Sequence, residues 1–291
     1  MAERVNILIS ELESKEKFTS TELWDINSRS SFADVNLSYL LPSLKKALAE
    51  KVLPEIVEDS LHALEQWDGY WWDKDKDGLF DSAAPMLMQT WLTNLSRDVL
   101  KDDIGEKYFF RFASPGYPVN PIRASIPVSA GIKTIVNTLY QIENDLPVDY
   151  DFFNGEKPAE LLSTAFINAV NELSEKYGAD PSLWALQPHP LTFTAFNFRG
   201  VAQTTKSNEM SLPVIMNRGS ENNLFVAKDN TIKGWDVFAP GQSGFIAPDG
   251  SRSQHYSDQL ELYWQFKHKP LPFTIKQVKA MQETEVVLEV E

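Results

Sequence analysis

The sequence predicts an α+β fold in which the helices come first and the strands follow. Two observations carry this. Up to about residue 180, apolar residues recur every three or four positions, the spacing of one helical face. Beyond Asp180 that period disappears, and Leu191, Phe193 and Ala195 alternate with Thr192 and Thr194, the two-residue period of a strand. Segregation of this kind points to stacked layers and not to a parallel βαβ series. Residues 1–180 therefore read as a mainly helical region, and 181–291 as a strand-rich region with a closing helix. Neither region contains an internal repeat or a low-complexity tract.

In the helical region, Val5, Leu8, Ile9 and Leu12 fall at i, i+3, i+4 and i+7 and predict a helix with one buried face over Glu3 to Glu13. Thr19 and Glu22 form a capping box, each side chain placed to satisfy one free backbone donor of a second helix. Asp34 can cap a third through Tyr39, Leu40, Leu44 and Leu48, which Pro42 should kink or split. Pro54 stands where a first-turn proline is tolerated, ahead of Val57, Leu61 and Leu64. Leu87, Trp91 and Leu95, flanked by Met88, Leu92 and Val99, give a broad apolar face and a deeply packed helix ending near Asp102, Asp103 and Gly105. Pro115, Gly116, Pro118 and Pro121 make Phe109 to Pro127 an extended linker. Helices resume over Val128 to Ile142 and Pro158 to Lys176, the latter stopped by Gly178.

The densest pattern lies between Pro213 and Trp264. Leu212 to Met216 and Asn223 to Ala227 flank a turn of Arg218, Gly219 and Ser220, as paired strands would. A third run spans Gly234 to Phe238, and Pro240-Gly-Gln-Ser-Gly then forms a tight loop. Asp249 and Gly250 make a further turn. From His255 the spacing becomes helical, with Gln259, Leu262, Tyr263 and Phe266 able to share a face.

The 291 residues, 43% of them apolar, suffice for a sizeable core. Lys and Arg total 27 against 41 Asp and Glu, a net charge of −14 that disfavours nucleic-acid backbones and anionic membranes as partners. There is no cysteine, which excludes disulfides, thiolate metal sites and a thiol nucleophile. No apolar run reaches the roughly 18 residues a membrane span needs. The first residues are amphipathic and lack the apolar core of a signal peptide.

The sharpest chemical motif is Asp73-Lys-Asp75-Lys-Asp77-Gly78-Leu79-Phe80-Asp81. Acidic oxygens at positions one, three, five and nine, with glycine at six, match most of an EF-hand loop. Asp73, Asp75, Asp77, Asp81 and the Leu79 carbonyl could wrap one structural Ca²⁺, although position twelve is Ala84 where the bidentate glutamate belongs. The same residues equally suit a solvated acidic turn. Trp67, Tyr70, Trp71 and Trp72 crowd the approach to this loop and could line a ligand pocket, but packing is the stronger reading for Trp67 and one of the paired tryptophans. The four histidines, His62, His189, His255 and His268, show no metal-ligand spacing. His255, Tyr256 and Asp258 invite a base-and-orienter reading with Ser243 or Ser253 as nucleophile, yet no strand-turn-helix elbow surrounds either serine.

Asn217-Arg-Gly-Ser-Glu-Asn, Pro240-Gly-Gln-Ser-Gly and His255-Tyr-x-Asp-Gln, in that order, resemble the C-terminal end of the penicillin acylase β chain. The resemblance continues through Arg4-Val5, Trp24-Asp25, Asn36 to Pro42, Trp67-Asp68-Gly69, Trp91-Leu92-Thr93, and Leu191-Thr-Phe followed by Gly200-Val201. It implies part of a four-layer αββα N-terminal-nucleophile hydrolase fold, one incomplete domain whose remaining strands come from elsewhere. The implied activity is hydrolysis of an acyl amide such as the side chain of a β-lactam antibiotic, in a periplasmic or secreted enzyme.

The serine nucleophile, its own amine as base and the oxyanion-hole asparagine would precede Met1. The chain is accordingly expected to be inactive alone and to partner the α chain and the N-terminal part of the β chain around a small-molecule amide. Arg4 matches the family's arginine that opens this helix beside the reaction centre, and its planar, permanently charged guanidinium suits that supporting task. The family's calcium site is associated with residues nearer the β chain's start and does not vouch for the 73–81 loop. An alternative from another class is a non-catalytic, calcium-stabilised ligand-binding module.

Overall fold

A computed structural model describes residues 4–71, 74, 77, 79–109, 130–184 and 221–289. The linker expected after Phe109, the strands expected at 191–195 and 212–216, and the Arg218 turn lie outside the described residues. The described residues fall into two compact units, one of 4–16 with 29–184 and one of 17–28 with 221–289.

The first unit is helical. Helix α1 (Val5–Glu13) is followed by the end of α2 (Ser20–Ser30), then α3 (Leu37–Leu48), α4 (Glu55–Gln66), α5 (Ala84–Tyr108), α6 (Ala130–Glu143) and α7 (Pro158–Tyr177). Helix α5 packs along α7, α4 and α6, and α3 also rests on α7. Leu87, Trp91 and Leu95 of α5, Leu40 and Leu44 of α3, and Phe166 of α7 are completely or almost completely buried in one continuous core. Trp91 meets Phe166 edge to face at 5.8 Å, and its indole N–H donates to the Leu162 carbonyl at 3.2 Å. A large aromatic buried in this way needs that partner, because an unpaired indole N–H would offset part of the gain from burial.

Several local expectations hold, and two are corrected. Thr19 Oγ1 accepts from the Glu22 N–H while Glu22 Oε2 accepts from the Thr19 N–H, the reciprocal capping box. Gly178 ends α7 at φ 98°, a region that favours glycine. Gly105, at φ 72°, interrupts α5 close to where the helix was expected to stop. Pro42, however, neither splits nor ends α3, which runs through it. Burial of Leu40, Leu44 and Leu48 on either side outweighs the one backbone bond that proline removes. The face of α1 is also not buried as expected, since Val5, Ile9 and Leu12 are each about half exposed.

The second unit is built on a three-stranded antiparallel sheet, β1 (Glu221–Lys228), β2 (Thr231–Phe238) and β3 (Lys269–Leu271), in that order. Asp229 and Asn230 join β1 to β2 with φ of 51° and 57°, the paired positive values of a two-residue hairpin turn. One sheet face carries Asn222, Leu224, Trp235 and Val237. Against it, Trp24 of α2 meets His268 edge to face at 4.6 Å, His268 in turn lies 5.8 Å from Trp235, and Asn27 reaches Asn222. The opposite face carries Phe225, Ile232 and Phe238, all exposed, with Phe225 edge to face against Phe273 over Gly234.

The helix expected from His255 is shorter than its periodicity suggested, α8 (Leu260–Trp264) with Gln259 as its N-cap. A final helix, α9 (Ile275–Met281), opens on a second capping box of Thr274 and Gln277.

Candidate functional site

Arg4 is the N-cap of α1, and its backbone carbonyl accepts from the Leu8 N–H at 3.0 Å. Its Nη1 donates to Ser31 Oγ at 2.9 Å. Ser31 is fully buried, in a stretch where Ser30, Ala33, Asp34, Val35 and Asn36 are buried too. The guanidinium is thus tied to a buried part of the first unit by a residue 27 positions away, a link that local periodicity does not reveal. Nearby, Glu11 of α1 accepts from Arg29 Nη2 at 2.9 Å and from the Tyr70 hydroxyl at 3.3 Å.

The buried stretch is held by Asp34. Its Oδ1 accepts from the backbone N–H groups of Asn36 and Leu37 at 2.7 and 3.2 Å, and its Oδ2 from the Trp71 indole at 3.3 Å. The expected capping role for α3 is therefore present, exercised from two residues before the N-cap Asn36. The Asp34 N–H donates to the Gly69 carbonyl and the Trp71 N–H to the Phe32 carbonyl, bridging this stretch to the chain before the acidic loop. Burial pushes the Asp34 carboxyl up to about 6, because the desolvation of a charged oxygen pair outweighs the donors that favour it, the Asn36 and Leu37 backbone N–H groups, the Trp71 indole and the Asn36 side chain. A mostly apolar cavity of about 300 Å³ opens beside it, lined among others by Ile7, Leu37, Leu41, Pro42 and Tyr70.

Of the five positions read as calcium ligands, Asp77, Leu79 and Asp81 are described, and Asp73 and Asp75 lie outside the described residues. Asp77 Oδ1 accepts from the Leu79 N–H at 2.7 Å. Asp81 Oδ1 accepts from the Lys74 N–H at 2.9 Å, with the Lys74 ammonium 3.8 Å from Oδ2. Among the described residues no group of three or more His, Asp or Glu is gathered as a metal site would gather them.

Trp67 and Trp71 are buried as expected. They meet at 6.2 Å, and Trp71 meets Phe80 at 5.3 Å. Trp72 and His189 lie outside the described residues. His62 is exposed beside Glu65, and His268 is sandwiched by tryptophans.

The loop after β2 and the His255 segment close on each other. The Ser243 N–H donates to the His255 carbonyl, the Gln259 N–H to the Pro240 carbonyl, and the Phe238 N–H to Gln259 Oε1. A Cβ on Gly241 would strike the His255 carbonyl oxygen and come within 2.7 Å of Asp258 Oδ1, so only glycine fits there. His255 Nδ1 does contact Asp258 Oδ2 at 2.9 Å, but Nε2, the atom a general base would use, faces Glu283 Oε2 at 3.0 Å. Ser253 Oγ instead accepts from the His255 backbone N–H. This is the geometry of a structural closure and not of a nucleophile and base.

A protein-family model described as penicillin amidase matches residues 2–280. The chain is 30% identical over 296 aligned positions to penicillin G acylase of Escherichia coli, with 100% of this chain and 35% of that protein covered. Among solved structures, the thermostable penicillin G acylase from Alcaligenes faecalis superposes with a TM-score of 0.75 at 30% identity, covering 99% of this chain and 52% of that one. The chain thus spans about a third to a half of the length of these relatives. The α+β class, helical first and strand-bearing after, accords with an N-terminal-nucleophile hydrolase fold. On the extent of these matches, the chain belongs to the penicillin amidase family.

Proposed function

We propose that this chain is the C-terminal portion of a penicillin acylase-type amidohydrolase, and that the assembled protein hydrolyses the amide joining an acyl group to an amine such as a β-lactam nucleus. The observation that carries the reading is the family match over nearly the whole chain, at 30% identity to a penicillin G acylase. Acyl transfer of this kind requires a nucleophile, its base and oxyanion donors placed together. Around Arg4 the described residues offer a guanidinium held on a buried hydroxyl, which suits positioning and charge stabilisation and supplies no activated nucleophile. The chain's part is then scaffolding, with Arg4 delivered to a site completed by the remaining acylase polypeptide, in a periplasmic or secreted setting.

The test is hydrolysis of a chromogenic phenylacetyl amide by the purified chain, alone and reassembled with the polypeptide that precedes this region in a complete acylase. The expected result is no turnover alone, turnover on reassembly, and a loss of about 100-fold in the reassembled Arg4→Ala protein, the scale of a misplaced reacting group. Turnover by the chain alone, or an Arg4→Ala assembly as active as the parent, would overturn the reading. A structural Ca²⁺ at Asp73, Asp75, Asp77, the Leu79 carbonyl and Asp81 is a separable part of the proposal, supported by loop spacing. It predicts a melting temperature that rises with added CaCl₂ and falls back with chelator, an effect that Asp77→Asn should weaken.

A further inference from the structure

We propose that protonated His255 is a pH-sensitive clasp that fastens the segment following α9 to the loop following β2. His255 Nδ1 contacts Asp258 Oδ2 at 2.9 Å, and Nε2 contacts Glu283 Oε2 at 3.0 Å. An ionised carboxylate can only accept. Both contacts are therefore hydrogen bonds only when both ring nitrogens carry hydrogen, which is the imidazolium form. Gln254 Nε2 donates to the same Glu283 oxygen at 2.8 Å, so one carboxylate on the C-terminal segment is gripped by two neighbouring side chains of the loop.

The two sides of this clasp are unequally anchored. The loop side is fixed by the Ser243–His255 and Gln259–Pro240 backbone bonds and by the close approach of Gly241 to the His255 carbonyl and Asp258. Glu283 belongs to an irregular, exposed stretch that continues through Val286, Val287 and Leu288, each more than three-quarters exposed. When the ring loses a proton, the Asp258 contact is preserved by its short sequence separation and its fixed backbone. The Glu283 contact is the one that yields, and the bared Nε2, 3.3 Å from Gln254 Nε2, can then accept from that amide in competition with Glu283, so the grip of Gln254 on the carboxylate loosens as well.

Among the described residues, the charged groups facing the ring are Asp258 from its own loop and Glu283 from the C-terminal segment. The nearby Arg252 guanidinium is turned onto the Tyr256 ring, 4.4 Å away. The hydrogen bond from Asp258 first, and that from Glu283 second, raise the His255 imidazole above its ordinary value of 6.5. Because the folded value lies above the unfolded one, the clasp is fully closed below about 6.5 and opens as the pH rises through the folded value.

The test is a pH titration of the full chain, labelled at histidine ring carbons and at valine and leucine methyls, from about pH 5.5 to about pH 8.5. The His255 ring signal and the Val286, Val287 and Leu288 methyl signals should shift with one common midpoint, the methyls narrowing toward free-chain values on the alkaline side. Leu40 methyls, buried in the first unit, should stay constant and report an intact fold. In Glu283→Gln, a change at a largely exposed side chain, the His255 midpoint should fall and the tail methyls should be narrow even at acid pH. In His255→Ala, which has no donor to offer Glu283, the tail should be narrow at every pH. Tail methyls indifferent to pH while His255 titrates, or an unchanged His255 midpoint in Glu283→Gln, would overturn the proposal.

Discussion

Replacing Asp34 with asparagine tests the physics of the buried stretch that holds Ser31 and, through it, Arg4. The Asp34 side chain is buried, and its carboxyl is raised from 3.8 to about 6. Since the folded value lies above the unfolded one, Asp34 contributes its full stability below about pH 3.8, loses it progressively up to about pH 6, and thereafter imposes a level penalty. A shift of this size corresponds to about 3 kcal/mol, and about half of that is lost between pH 5 and pH 7.5. Asparagine does not titrate. It can still accept from the Asn36 and Leu37 N–H groups, but its amide would meet the Trp71 indole N–H donor to donor, a fixed cost of about 1–3 kcal/mol at any pH. The stability of the parent minus that of Asp34→Asn should therefore fall by about 1–2 kcal/mol from pH 5 to pH 7.5, whatever its sign at either end. Urea unfolding followed by tryptophan emission, at matched ionic strength, measures this difference directly. A difference that stays constant over that range would refute the argument, because it would mean that Asp34 carries the same charge folded and unfolded throughout.

Three further outcomes are expected. Gly241→Ala should lower stability by about 1–3 kcal/mol, since the new methyl must displace the His255 carbonyl or the Asp258 carboxylate, and thermal melting should show the loss. Trp91→Ala should cost about 3–5 kcal/mol by emptying the centre of the α5–α7 contact, measurable as a fall in urea midpoint. Thr274→Ala removes the acceptor of the Gln277 N–H and should reduce the protection of α9 amides in hydrogen exchange by about fivefold, corresponding to about 1 kcal/mol.

Much of the helical half was legible in advance because its determinants are local. The Thr19–Glu22 box, the face of Leu87, Trp91 and Leu95, and the Gly178 stop each act within one or two turns, and each appears as read. Burial was less legible. The stripe of α1 has the spacing of a covered face and is half exposed, because periodicity reports which residues share a side and not whether anything lies against it. The second unit held signals that went unread. Asp229-Asn230 is a hairpin turn, and Thr274 followed by Gln277 repeats the pattern that marked α2. The contacts around Arg4 and Asp34 join residues distant in sequence, Arg4 to Ser31 and Trp71 to Asp34, as does the separate closure of His255 on Glu283 in the second unit, and no spacing rule reaches across such gaps.

The bare apolar side chains of the second unit govern how this chain behaves in a tube. Phe225, Ile232 and Phe238 line one sheet face, and Ile275, Val278 and Met281 run along α9, all exposed. Copies meeting through such surfaces would gain free energy by excluding water, while a net charge of −14 drives them apart. Salt weakens the repulsion without weakening the attraction, since the screening length falls to about 3 Å at 1 M. The chain should accordingly stay dispersed in dilute buffer at neutral pH and cluster as ionic strength rises, so low-salt purification favours a homogeneous preparation.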